Sequence, residues 1–201
     1  GCCNVAVGAI ALFKNSTGAC NTSMGSRSMQ CNTTGARNSA FGLCALFNNT
    51  TASQNTAMGV FALDTNTTGA NNVAIGVYAL DSNTTASNNT SVGYNSSQAN
   101  TTGTCNVALG YSTGNTTTTG SNNTTLGYLA ISSSATVSHE ITLGNADNNN
   151  LRCNDTSISS LSDLRDKENI EDIPHGLDYI LALRPVKFDW NTRDGTRKGK
   201  K

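Results

Sequence analysis

The sequence predicts an all-β protein: a parallel β-solenoid of nine 17-residue coils with a short α+β piece at its C-terminal end. Three observations predict it. The first is an unbroken period. Stepping by 17 from Asn72 gives Asn4, Asn21, Asn38, Asn55, Asn89, Asn106 and Asn123, then Glu140. The glycine four residues on recurs at Gly8, Gly25, Gly42, Gly59, Gly76, Gly93, Gly110, Gly127 and Gly144. A fixed period of this length is the mark of stacked-coil architectures. The second is an alternation around that glycine, and the third a polar Asn/Thr tail such as "NTTGAN" at 66–71.

Each coil is expected to open with a strand. The residue before the glycine is always apolar: Val7, Met24, Phe41, Met58, Ile75, Val92, Leu109, Leu126, Leu143. Two residues earlier stand Val5, Thr22, Ser39, Thr56, Val73, Thr90, Val107, Thr124 and Ile141. This is a period-2 pattern, and the row from Val7 to Leu143 is expected to line the interior. A second short strand is expected after the glycine, as in "VYAL" at 77–80, with a small row from Ala11 to Ala130 and a larger row Leu12, Met29, Leu46, Leu63, Leu80. Seventeen residues are too few for a βαβ unit, whereas two short strands and turns fit. Nine coils at ~4.8 Å make a rod on the order of 40 Å long. The glycine column suggests positive φ or a close backbone approach. The leading asparagines either form an amide ladder along the rod or simply suit a turn.

Composition narrows the class. With 36% hydrophobic, 5% aromatic and 13% charged residues, the chain would read as disordered were it not periodic. Thin coils have small cores, so association is expected to help. Net charge is zero, which gives no sign of a nucleic-acid partner. No apolar run is long enough to insert in a membrane. The chain opens in mid-repeat at "GCCN", which reads as a piece of a longer fibre. Seven cysteines, without CxxC or a histidine cluster, suggest neither a metal nor a cofactor. Cys3 and Cys20 occupy equivalent places in adjacent coils, either as a bridge or as buried small residues.

A second asparagine column, Asn15, Asn32, Asn49, Asn66, Asn83 and Asn100, carries N-glycosylation acceptor patterns. These side chains are expected to project from one place on six successive coils. Further matches occur, for example at Asn21, Asn89, Asn95, Asn115, Asn123 and Asn154. Enzymatic action on polysaccharide would need facing carboxylates. Asp64 and Asp81 are instead in register on one edge, as like charges about one strand spacing apart. An ice-binding array needs threonines two abreast, but adjacent residues of a strand face opposite ways.

The phrase stops after residue 156, which divides the chain into a repeat domain at 1–156 and a second piece at 157–201. Nine of the basic and eight of the acidic residues fall in that piece. Leu177, Ile180 and Leu181 fit one face of a short helix, Pro185 stops it, and "VKFDW" alternates like a strand. The stretches "SDLRDKENIEDI" and "GLDYILALRPVKFDWN" resemble the start of the intramolecular chaperone of endosialidase-type phage tail fibres. That resemblance implies a domain that trimerises the fibre before it and then cuts itself free. It places the cleavage dyad at Ser162 and Lys167, with Asp163 after the serine. It covers roughly the last 40 residues and only the beginning of the family domain.

The repeat "NVAIGVYAL" followed by "NTTG" is similar to the head repeats of trimeric autotransporter adhesins. That likeness, over residues 4–156, implies a left-handed β-roll with three chains around one axis. Together the readings predict a non-enzymatic, homotrimeric fibre segment of a virion tail fibre or cell-surface filament. It would serve as shaft or attachment surface towards a cell-surface or glycan receptor, with self-cleavage as its only chemistry. The alternatives are a heavily N-glycosylated extracellular filament subunit, a fibre-borne polysaccharide-acting enzyme, and an ice-binding solenoid.

Overall fold

The computed structural model describes residues 1–148 and two short strands further on, Trp190–Asn191 and Lys198–Gly199. Nine three-residue strands recur once per repeat: β1 (Val5–Val7), β2 (Thr22–Met24), β3 (Ser39–Phe41), β4 (Thr56–Met58), β5 (Val73–Ile75), β6 (Thr90–Val92), β7 (Val107–Leu109), β8 (Thr124–Leu126) and β9 (Ile141–Leu143). They form one sheet in chain order, every pair parallel and displaced by one repeat, as Ala57 on Ala74 and Ala74 on Ser91. The protein is a parallel β-solenoid, and no helix occurs among the described residues. The chain divides into two compact units, Gly1–Leu151 and Arg152–Lys201. In the second, β10 (Trp190–Asn191) pairs antiparallel with β11 (Lys198–Gly199). The helix expected near 177–183 lies outside the described residues.

Each coil has one strand, not the expected two. The run after the glycine bends back instead of extending. In "GVYAL" at 76–80 every second residue has positive φ: Gly76 at 137°, Tyr78 at 59° and Leu80 at 50°. Such a backbone costs a non-glycine residue about 1 kcal/mol or more. The cost is offset by hydrogen bonds that continue from coil to coil. Tyr78 N–H donates to Val60 O at 3.0 Å, and Leu80 N–H donates to Ser96 O at 3.0 Å. A glycine opens the bend for two reasons at once. Gly59 has φ 142°, and a Cβ there would overlap the carbonyl oxygen of Gly76 in the next coil.

The interior is smaller than the sequence suggested. The central strand residues Ala40, Ala57 and Ala74 point inward, against Ala45, Ala62 and Ala79 and the column Met29, Leu46, Leu63, Leu80. All of these are fully buried. Each large member contributes roughly 1.5–3 kcal/mol by leaving water. The row from Val7 to Leu143 does not line this interior. It points outward, because a three-residue strand in so thin a coil turns only its middle residue inward, and only a small one fits there.

Candidate functional site

The outward strand face is the most distinctive surface of the solenoid. Met24, Met58, Ile75 and Leu109 are 41%, 43%, 38% and 41% exposed. Val73 and Val107, the first residues of their strands, flank them on the same face, half-buried, where β2, β3, β4, β6 and β8 carry Thr or Ser. Beyond the glycine column Leu43 is exposed, and so are Tyr94, Tyr111 and Tyr128. The aromatic rings form a column along the rod. Tyr94 stacks on Tyr111 at 5.3 Å and Tyr111 on Tyr128 at 5.4 Å, and Phe61 stacks on Tyr78 at 5.4 Å. The result is a continuous apolar stripe at one-coil steps, the kind of surface that marks an association site.

Two asparagine columns meet at one corner of the coil, where both donate to the same carbonyls, as Asn72 and Asn83 do to Ala86 O. In the leading column each side-chain oxygen accepts the backbone N–H of its counterpart one coil on. Asn72 N–H donates to Asn55 Oδ1 at 2.9 Å, and Asn89 N–H to Asn72 Oδ1 at 3.0 Å. The amide nitrogen donates to a backbone carbonyl, as from Asn72 to Ala86 O at 2.8 Å. The leading column is therefore chiefly a side-chain-to-backbone ladder, with one amide–amide contact, Asn38 to Asn21 at 3.2 Å.

The regular amide–amide ladder runs through the other column, the one carrying the glycosylation pattern. Asn32 donates to Asn15 Oδ1 at 2.7 Å, Asn49 to Asn32 at 2.8 Å and Asn66 to Asn49 at 3.1 Å. It continues with Asn83 to Asn66 at 2.9 Å and Asn100 to Asn83 at 3.0 Å. Each amide also donates to the carbonyl three residues on. Asn32, Asn49, Asn66 and Asn83 are fully buried, Asn100 is nearly so, and Asn15 in the outer coil is half-buried. The expectation that these six project outward is corrected. Carbonyls turned into a corner without water need donors, and the asparagine amide supplies them. A glycan on such a nitrogen is incompatible with the folded coil.

Of the other acceptor patterns, Asn21, Asn89 and Asn123 are buried in the leading column, Asn95 and Asn115 are half-buried, and Asn154 lies outside the described residues. Two exposed acceptors escaped the sequence reading: Asn88, in "NNT", and Asn122, in "NNT". Both stand just before a leading asparagine, in a column with positive φ, 63° and 58°. The period alone would have shown that this column and the buried one differ in phase.

The carboxylates do not make a cleft. Burial pushes the Asp64 carboxyl up to about 6, and the charge of Asp81 adds to that. Burial also raises Asp81, against a hydrogen bond from Gln98 that lowers it. Glu140 takes the leading-asparagine place in the last coil. The Ser133 hydroxyl and backbone N–H bind its carboxylate, Thr142 adds a third bond, and its pKa is lowered.

Cys2, Cys3 and Cys20 are free and exposed, so Cys3 and Cys20 are neither bridged nor buried in this structure. The neighbouring Cys2 and Cys20 thiols raise the pKa of Cys3, Cys2 through a hydrogen bond above all. No group of three or more potential metal ligands converges among the described residues. Among them, too, no helix is long and apolar enough to cross a membrane. Ser162, Asp163 and Lys167 lie outside the described residues.

The sequence beyond the solenoid carries the family evidence. Residues 162–201 match the family described as the chaperone of endosialidase. No curated protein and no solved structure matches the chain. A β-solenoid followed by such a segment fits a tail-fibre-like structural protein. That family suggests a phage-associated extracellular fibre.

Proposed function

We propose that the chain is a segment of a homotrimeric fibre whose outward apolar stripes pack around a shared threefold axis. The observation that carries this is the stripe itself, unpartnered along the coils and followed in sequence by the chaperone match. Burying the stripe between copies removes from water the large side chains that the thin interior cannot accept. The likeness of the repeat to adhesin heads supports the same arrangement, and with it a role as shaft or attachment surface for a cell-surface or glycan receptor.

In the chaperone segment, Ser162 serves as nucleophile and Lys167 as its base, with Asp163 beside them. The family match opens at residue 162 itself. A lysine held neutral by its surroundings accepts the Ser162 hydroxyl proton as the oxygen attacks the carbonyl carbon of the neighbouring peptide bond; the C–N bond breaks, the lysine returns the proton to the leaving amine, and water hydrolyses the resulting ester.

Sedimentation equilibrium tests the assembly. The expected mass is three times the 20.9 kDa of the chain. A 20.9 kDa particle at micromolar concentration overturns the trimer. Met58→Asp with Ile75→Asp is expected to abolish it. In a fibre whose chaperone extends past residue 201, Ser162→Ala or Lys167→Ala is expected to leave the two parts joined on a denaturing gel. Release by either variant at the wild-type rate removes the dyad.

A further inference from the structure

Two interior columns break at the same level of the rod. The large apolar column Met29, Leu46, Leu63, Leu80 continues as Ser97 and then Gly114. The amide ladder ends at Asn100, because the next residue in its column is Thr117. Asn100 is 2% exposed and donates twice, at 3.0 Å to Asn83 Oδ1 and at 3.0 Å to Gly103 O. Its own Oδ1 is buried and accepts from no protein group. Such a buried orphan is unfavourable unless something pairs with it.

The lost side-chain volume leaves a cavity at this level. Asn100 lines it together with the hydroxyl residues Ser97, Thr117, Thr125 and Ser132, with Gly114, and with the apolar Val107 and Ala108. About 10 Å³ is open to the centre of a water-sized molecule, which is room for one. The walls are tight: a Cβ on Gly114 would come within 2.9 Å of Thr125 Oγ1 and 3.2 Å of Ser97 Oγ. The hydroxyl set is only partly committed. Thr117 donates to Ser132 Oγ at 2.8 Å, which leaves the Ser132 proton free to point elsewhere.

We infer that this cavity is a binding site for one ordered water molecule, which donates to Asn100 Oδ1 and bonds to the surrounding hydroxyls. Water fits where a larger or apolar occupant does not. The volume is that of a single molecule, the lining is uncharged and sets Asn100 and four hydroxyl residues beside Val107 and Ala108, and two to four partners are the usual number for a buried water. The water completes the rung that an asparagine at position 117 would otherwise supply.

The test uses the full chain. A high-resolution crystal structure is expected to show one density peak within hydrogen-bonding distance of Asn100 Oδ1, about 2.7–3.2 Å. Water-proton relaxation dispersion is expected to count one more long-lived internal water in the wild type than in Thr117→Asn. In that variant the new amide should donate to Asn100 Oδ1 at the spacing of the other rungs and displace the water. Amide exchange in the coils around residue 117 should then slow by about fivefold, the equivalent of one net hydrogen bond. No density at Asn100 Oδ1 in the wild type overturns the assignment, whether or not the variant folds. So does an internal-water count that Thr117→Asn leaves unchanged.

Discussion

The coils built on β3 to β5 and those built on β6 to β8 share one backbone but not one interior. In the first group Ala40, Ala57 and Ala74 face Leu46, Leu63 and Leu80, with no hydroxyl between them. In the second, the corresponding interior holds Ser91, Ser96, Ser97, Thr113 and Thr125. Their protons go to backbone: Ser91 donates to Ser96 O at 2.7 Å, Ser96 to Ala108 O at 3.1 Å and Thr113 to Ala130 O at 3.1 Å. The parallel register passes through both groups unchanged. The path of a coil is therefore set by its glycine corner and its asparagine ladders. The interior column sets how strongly each coil is held.

The sharpest way to break this comparison is a truncation in each interior. Leu63→Ala is expected to cost about 2–5 kcal/mol in urea unfolding, as buried leucines do. Ser97→Ala is expected to cost less than ~1 kcal/mol, since it removes no apolar contact column and one hydroxyl. Equal losses would show that the two interiors hold equally.

A smaller difference is expected along the amide ladder. Asn66→Ala takes the donors from Asn49 Oδ1 and Gly69 O and the acceptor from the Asn83 amide, three buried bonds. Asn100→Ala takes the donors from Asn83 Oδ1 and Gly103 O but strands no amide, because nothing in the protein donates to Asn100. The first is expected to cost about 2–3 kcal/mol and the second about 1 kcal/mol less. Denaturation of the two variants side by side measures the gap.

Asp64 offers a pH-dependent contrast. Its folded pKa, about 6, lies above the ordinary 3.8, so the folded chain holds the proton more tightly than the unfolded one. Stability is then expected to be greatest below the ordinary value and to fall as pH rises through about 6. Asp64→Asn is expected to remove that fall. It should raise stability at neutral pH by about 1 kcal/mol, a figure reduced because half the carboxyl remains in solvent. A melting temperature that falls with rising pH as steeply in the variant as in the wild type would rule this out.

The smallest effect belongs to Glu140, whose lowered pKa has the opposite sign. Its bonds to Ser133 are present above the ordinary carboxylate value and lost as pH falls through the folded one. Exchange at the Ser133 amide is expected to quicken on that acid side and nowhere else in the coil.

The sequence by itself determined the period, the stacked-coil class and the parallel register. A glycine every 17 residues cannot be kept by chance, and its chemistry demands positive φ and a close neighbour. It also carried the family likeness of the last 40 residues, which later matched in the same place. Only the tertiary structure decided which way each column faces. Val7 to Leu143 and the small residues between them alternate in either case, and a period-2 pattern does not say which phase is inside. Coil thickness decides it, because the enclosed space admits alanine and serine from the strand and leucine only from the bend. The same holds for the two asparagine columns. The leading one reads as an amide ladder or a turn residue, and the other as a row of sugar acceptors, until the corner is built. Then the carbonyls facing inward require donors, and the amides of Asn32 to Asn100 are the groups within reach.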